Sequence, residues 1–142
     1  MDRKVEQERR LVITSGQCLC GGVSFEAVGD PKWVGHCHCP SCRKATSAAF
    51  ASYAGFDASQ VQLKGDSLAD FASSPGIKRR FCNHCGSPVS FEGETWPGEI
   101  HLHVGLFDQP EALSPIGHAF VKTRMPWIKL CDGLPERYEF KP

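Results

Sequence analysis

The sequence predicts a mainly β domain of small antiparallel sheets with few short helices, and three observations predict it. Short apolar runs alternate with turn residues along most of the chain. The 142 residues include 14 Gly and 10 Pro, which punctuate the whole length. Ile100-His101-Leu102-His103-Val104 alternates strictly between apolar and polar, as a half-buried strand does.

Taken in order, the runs that read as strands are 11–13, 23–28, 33–36, 50–54, 61–63, 68–71, 78–81, 89–91, 100–106 and 120–121. They are two to seven residues long and rich in β-branched, aromatic or leucine side chains, with Gly, Pro, Ser or Asp close by. Two stretches read as short helices, Ser41–Thr46 and Pro110–Leu113. The length fits one domain, assigned to residues 11–142 behind a polar lead-in over residues 1–10. That lead-in, MDRKVEQERR, lacks the apolar run of a secretory signal. No segment approaches the roughly 20 apolar residues of a membrane-spanning helix, so the expected location is cytoplasmic and no membrane partner is expected.

Lys and Arg together number 16, as do Asp and Glu, so the formal net charge is zero. A neutral domain has no overall field with which to gather nucleic acid, which makes a nucleic-acid partner unexpected.

Eight cysteines are far more than packing requires. In a reducing compartment they point to metal or catalysis rather than to disulfides. They fall into a C-x-C (Cys18, Cys20), a C-x-C-x-x-C (Cys37, Cys39, Cys42), a C-x-x-C (Cys82, Cys85) and a lone Cys131. A tight C-x-x-C turn puts two sulfurs on one side, with backbone N–H groups free to donate to them. Gly86 follows so that the chain can leave that turn, a position that favours positive φ. A C-x-C in an extended strand presents both sulfurs on one face, so Leu19 would point away from Cys18 and Cys20.

Structural zinc takes four ligands, and Cys18, Cys20, Cys82 and Cys85 supply them. That ion would close a loop of roughly sixty residues. The remaining cluster, Cys37, Cys39 and Cys42, offers three ligands and a vacant fourth position, which is the arrangement of catalytic zinc. It could instead be closed by His36, His38 or Cys131 and would then be structural. His38, between two ligands, reads as a surface or supporting group rather than a ligand. His84 reads as facing solvent, His101 and His103 as a half-exposed pair on one strand face, and Cys131 as a small buried hydrophobe. The Lys78-Arg79-Arg80 run reads as a solvated strand face that could carry anion contacts beside a metal site.

Gly16-Gln17-Cys18-Leu19-Cys20-Gly21-Gly22-Val23, Cys37-His38-Cys39-Pro40-Ser41-Cys42-Arg43-Lys44 and Phe81-Cys82-Asn83-His84-Cys85-Gly86-Ser87 resemble the glutathione-dependent formaldehyde-activating enzyme family, which includes the centromere protein V domain. Val104-Gly105-Leu106-Phe107-Asp108, His118, Lys122 and Trp127 resemble its C-terminal signature. The resemblance implies a β-tent fold, a structural zinc at Cys18, Cys20, Cys82 and Cys85, and a second zinc at Cys37, Cys39 and Cys42 where a glutathione–formaldehyde adduct is handled. Two positions depart from the family pattern: Ser47 stands where glycine is usual, and Phe120 where tryptophan is common.

The expected activity is that of a zinc-dependent carbon–sulfur lyase acting on a thiol adduct, similar to S-(hydroxymethyl)glutathione synthase. The expected cofactors are two zinc ions per chain, and the expected partner is a small thiol, glutathione. Arg43 and Lys44 are the expected contacts for its carboxylates. The alternatives are a non-catalytic zinc module for partner recognition and a thiol carrier or sensor.

Overall fold

A computed structural model describes residues 3–4 and 12–139 of the chain. The lead-in expected over residues 1–10 therefore lies, apart from Arg3 and Lys4, outside the described residues, as does Leu11 of the first expected strand.

The fold is mainly β, as expected. Ten strands are described: β1 Ile13–Gln17, β2 Ser24–Val28, β3 Trp33–Cys37, β4 Ala51–Asp57, β5 Val61–Lys64, β6 Leu68–Ser74, β7 Ile77–Cys82, β8 Pro88–Gly93, β9 Glu99–His103 and β10 His118–Ala119. They form a three-stranded sheet in the order β1-β2-β5 and a seven-stranded sheet in the order β10-β3-β4-β9-β8-β7-β6. All pairings are antiparallel except that of β10 with β3, where His118 lies beside His36 and Ala119 beside Cys37. Among the described residues 12–139, the α-helix is α1, Pro40–Thr46. It opens with Pro40 in its first turn, where a missing N–H costs nothing. No helix among the described residues is long and apolar enough to cross a membrane.

The two-residue period of the strands divides the larger sheet into two faces. On one face, Val34 of β3, Ala54 and Phe56 of β4 and Ile100 and Leu102 of β9 join Phe25 and Ala27 of β2 in the main core. Phe107 packs edge-on against Phe25, with ring centroids 4.8 Å apart. This joins the small sheet to the large one. On the other face, Tyr53, Phe91, Trp33 and Trp96 gather around Cys37, Cys39 and Cys42.

The structure corrects three local expectations. β9 stops at His103, and Val104–Leu106 turns into a short 3-10 helix, so the strand does not reach Leu106. The expected helix at Pro110–Leu113 is a single 3-10 turn, Pro110–Ala112. The expected strand at Phe120–Val121 is replaced by the two-residue β10. Phe120 has φ 57°, a left-handed conformation that ends strand pairing.

Ser47 has φ 52° and closes α1, donating its N–H to the Arg43 carbonyl. Helices often end on such a left-handed residue, which explains a glycine preference there. A serine Cβ at this φ carries strain that glycine avoids. Ser47→Gly should therefore raise stability by about 0.5–1 kcal/mol, read as a higher urea midpoint at unchanged slope. A lower midpoint would contradict this account of the helix end.

Candidate metal and thiol sites

Cys18 and Cys20 lie in a turn after β1, where the Gly21 N–H donates to the Cys18 carbonyl at 3.0 Å. They are not on an extended strand edge as the C-x-C spacing predicts. The turn still puts both sulfurs on one side and turns Leu19 outward, where it is 87% exposed. Cys82 ends β7, and Cys85 sits in the following turn, closed by the Gly86 N–H donating to the Cys82 carbonyl at 2.8 Å. Gly86 has φ 81°, as the exit from that turn requires. His84, within the same turn, is exposed as expected.

The four sulfurs of Cys18, Cys20, Cys82 and Cys85 all lie within 4.8 Å of one another. Cys18 and Cys20 are 3.6 Å apart, and Cys20 and Cys82 are 3.7 Å apart. A tetrahedron with zinc–sulfur bonds of about 2.3 Å has edges of about 3.8 Å. Backbone N–H groups donate to the sulfurs: Val23 to Cys18 at 3.2 Å, Gly22 to Cys20 at 3.4 Å and Cys85 to Cys82 at 3.5 Å. Hydrogen bonds from Ser87 hold the Cys85 thiol down at about 5. The donor set and its spacing fit a tetrahedral thiolate metal.

The second cluster is local in sequence. Cys37 ends β3, Cys39 caps α1, and Cys42 lies buried in its first turn. The Cys42 N–H donates to Cys39 Sγ at 3.3 Å, so the helix start itself orients the ligands. The three sulfurs lie within 4.8 Å of one another, and no fourth donor joins them among the described residues.

Two cationic or polar groups meet Cys42 from other strands. Tyr53 of β4 donates its hydroxyl to Cys42 Sγ at 3.3 Å. Arg79 of β7 donates through Nη2 to Cys42 Sγ at 3.8 Å and through Nη1 to the Tyr53 hydroxyl at 3.3 Å. Hydrogen bonds from Cys37 and then Cys39 hold the Cys42 thiol far below its ordinary range, with further help from Tyr53 and Arg79 and against the effect of burial. The hydrogen bond to Cys39 is the leading cause that pushes the Cys37 thiol far up. Arg79 belongs to the Lys78–Arg80 run, and its side of that strand faces the cluster rather than solvent.

This cluster borders a cavity of about 610 Å³. Aromatic walls come from Trp33, Phe91 and Trp96, and Arg79 and Arg137 also line it. The Arg79 guanidinium stands 5.0 Å over the Phe91 ring. Arg43 and Lys44, near the C-terminal end of α1, are not among the lining residues.

The histidines depart most from expectation. His101 and His103 are buried rather than half-exposed. His101 packs edge-on to Trp33 at 4.6 Å, and His103 lies 4.6 Å from the Tyr53 ring. Burial lowers both, His103 to about 4. His38 is 0% exposed rather than at the surface. Its Nε2 shares a 2.9 Å hydrogen bond with His118 Nδ1, and its Nδ1 is buried without a hydrogen-bond partner among the described residues. His36 pairs through Nδ1 with Ser52 Oγ at 2.7 Å. Cys131 is exposed rather than buried, since it falls in the irregular segment after the last 3-10 turn.

Comparison with known proteins adds three findings. The family model described as "Glutathione-dependent formaldehyde-activating enzyme" matches residues 13–123. An uncharacterized lyase of Schizosaccharomyces pombe is 29% identical over 92 residues, covering 65% of this chain and 66% of the relative, just under two thirds of its length. A crystal structure of a Rhodobacter sphaeroides protein shares the fold with TM-score 0.57 at 18% identity, over 87% of this chain and 98% of that one.

The two cysteine clusters should respond differently to loss of a ligand. The four-sulfur cluster joins segments 62 positions apart, whereas the three-sulfur cluster lies within one helix start. A structural zinc contributes on the order of 10 kcal/mol, comparable to the whole stability of a domain. Cys82→Ser should fail to give a cooperative thermal transition, whereas Cys39→Ser should keep the native far-UV circular dichroism and a clear melt. Equal behaviour of the two variants would contradict the division between the clusters.

Proposed function

We propose that this chain, which belongs to the glutathione-dependent formaldehyde-activating enzyme family, is a carbon–sulfur lyase that makes or breaks the adduct of a small thiol, glutathione, with formaldehyde or a similar electrophile. The lyase name carried by the Schizosaccharomyces pombe relative supports the reaction class. The observation that carries the reading is the three-sulfur cluster, which has no fourth donor among the described residues and borders a cavity large enough for a small thiol.

We assign two zinc ions to the chain, one at Cys18, Cys20, Cys82 and Cys85 and one at Cys37, Cys39 and Cys42. At the second site zinc would supply a Lewis acid that keeps a substrate thiol ionised at neutral pH. The reaction itself needs no oxidant or reductant: the thiol sulfur adds to the carbonyl carbon, the C=O π pair moves to oxygen, and the thiol proton ends there.

The chain's own groups have separate tasks. Arg79 and Tyr53 offset negative charge at the sulfurs, because an anion in a partly dry site is costly without donors. Trp33, Phe91 and Trp96 narrow the cavity and limit water, which would otherwise compete for the electrophile. Arg137 takes a carboxylate of the thiol substrate, in place of the expected Arg43 and Lys44, because it lines the cavity and they do not.

The test is formation of S-(hydroxymethyl)glutathione from glutathione and formaldehyde, followed against the spontaneous rate. The purified chain should accelerate the exchange, and Cys39→Ser should reduce it to the uncatalysed rate. Arg79→Gln should lower kcat/KM by about 10- to 100-fold, the value of one charge-assisted hydrogen bond. A rate equal to the spontaneous one with both cysteine clusters metal-loaded would overturn the assignment in favour of a non-catalytic zinc module.

A further inference from the structure

A third donor cluster lies outside the two cysteine groups. A ring nitrogen of His36, a ring nitrogen of His118 and a carboxylate oxygen of Asp132 lie within 4.8 Å of one another. Strand pairing brings them together: β10 runs parallel to the edge of β3 and places His118 beside His36. The segment that follows returns along β10, with the His118 N–H donating to the Pro135 carbonyl and the Arg137 N–H to the His118 carbonyl, both at 2.8 Å. This return carries Asp132 to within 2.7 Å of His118 Nε2. Because His36 and Cys37 are consecutive strand residues, their side chains leave β3 on opposite faces. His36 and His118 line the same cavity as the three-sulfur cluster, but their donor group shares no ligand atom with it.

We propose that His36, His118 and Asp132 form a site for a divalent transition-metal ion of the zinc class. Two imidazoles and one carboxylate make a facial set that such ions take readily, with positions left open for water. The surroundings are those of ligating histidines, whose second ring nitrogen is held by a partner. His36 gives its Nδ1 to Ser52 Oγ at 2.7 Å, which leaves Nε2 for an ion. His118 gives its Nδ1 to His38 Nε2 at 2.9 Å, which leaves Nε2 facing Asp132. Both rings are therefore fixed in orientation before any ion arrives. The donor set is also harder than the thiolate clusters, so the three sites differ in the ions they favour.

The consequence falls on the cavity. Ile116, Gly117, Ala119, Phe120, Pro135 and Arg137, from the segments on either side of Asp132, line one wall of it. An ion bridging Asp132 to β3 and β10 ties that wall to the sheet. Occupancy of this site would then set how firmly the wall closes over the three-sulfur cluster.

The test is cadmium-113 NMR on the full chain with three equivalents of ¹¹³Cd²⁺, because thiolate and nitrogen–oxygen sites resonate far apart. The expected spectrum has a resonance well upfield of the thiolate-bound signals. Asp132→Asn, at an exposed position, should abolish that resonance and leave the thiolate signals in place. Ser52→Ala should weaken cadmium binding at the upfield site by about tenfold, as loss of a supporting partner does. No upfield resonance in the unaltered chain, or one that survives Asp132→Asn unchanged, would overturn the proposal whatever the catalytic assay gives.

Discussion

Seven sulfurs crowded into two small clusters set the terms on which the rest of this structure holds. Two thiolates 3.7 Å apart, the separation of Cys20 and Cys82, repel by roughly 4 kcal/mol at an effective dielectric constant of 20. Four such groups cannot stay together as anions without a cation or protons to offset them. A divalent ion held there would turn that repulsion into a crosslink. The sulfurs come from a turn after β1 and from the end of β7 and the turn after it, so an ion held there would also fix the small sheet against the far strands of the large one.

The large sheet then separates two duties by its pleat. Ala54, Phe56, Ile100 and Leu102 point into the core, while Tyr53, His101 and His103, their immediate neighbours in sequence, point to the cavity side. The rigidity that the core gives to β4 and β9 is thus passed directly to the groups that surround Cys42. Arg79 reaches the same sulfur from β7, so two strands and one helix start converge on it. Burial pushes both histidines on this face, His101 and His103, below the usual imidazole range.

The cysteine clusters were legible in the sequence because ligand spacing is a local property. C-x-x-C and C-x-C-x-x-C place sulfurs together within a turn or a helix start, whatever the rest of the chain does. Most strands were legible for the same reason, since alternation is read within a few residues. What escaped the sequence depends on distant pairing. Tyr53 and Arg79 meet Cys42 only because β4 and β7 belong to one sheet. His38 and His118 are 80 positions apart and meet only through the parallel pairing of β10 with β3. The burial of His101 and His103 follows from Trp33, Tyr53, Phe91 and Trp96 closing over that face, a packing that strict alternation cannot foretell. Ser47 and Phe120 were visible as departures from a family pattern, and their left-handed backbones supply a conformational reason for attention to both positions.

The central claim is that the three-sulfur site accepts a substrate thiol as its fourth ligand. X-ray absorption at the zinc edge tests it most directly, on protein loaded with two zinc ions per chain. One site with four sulfurs and one with three average about 3.5 sulfur neighbours per ion. Adding glutathione should raise that average to about 4. An average of about 4 before glutathione, unchanged after it, would contradict the account and leave both ions structural.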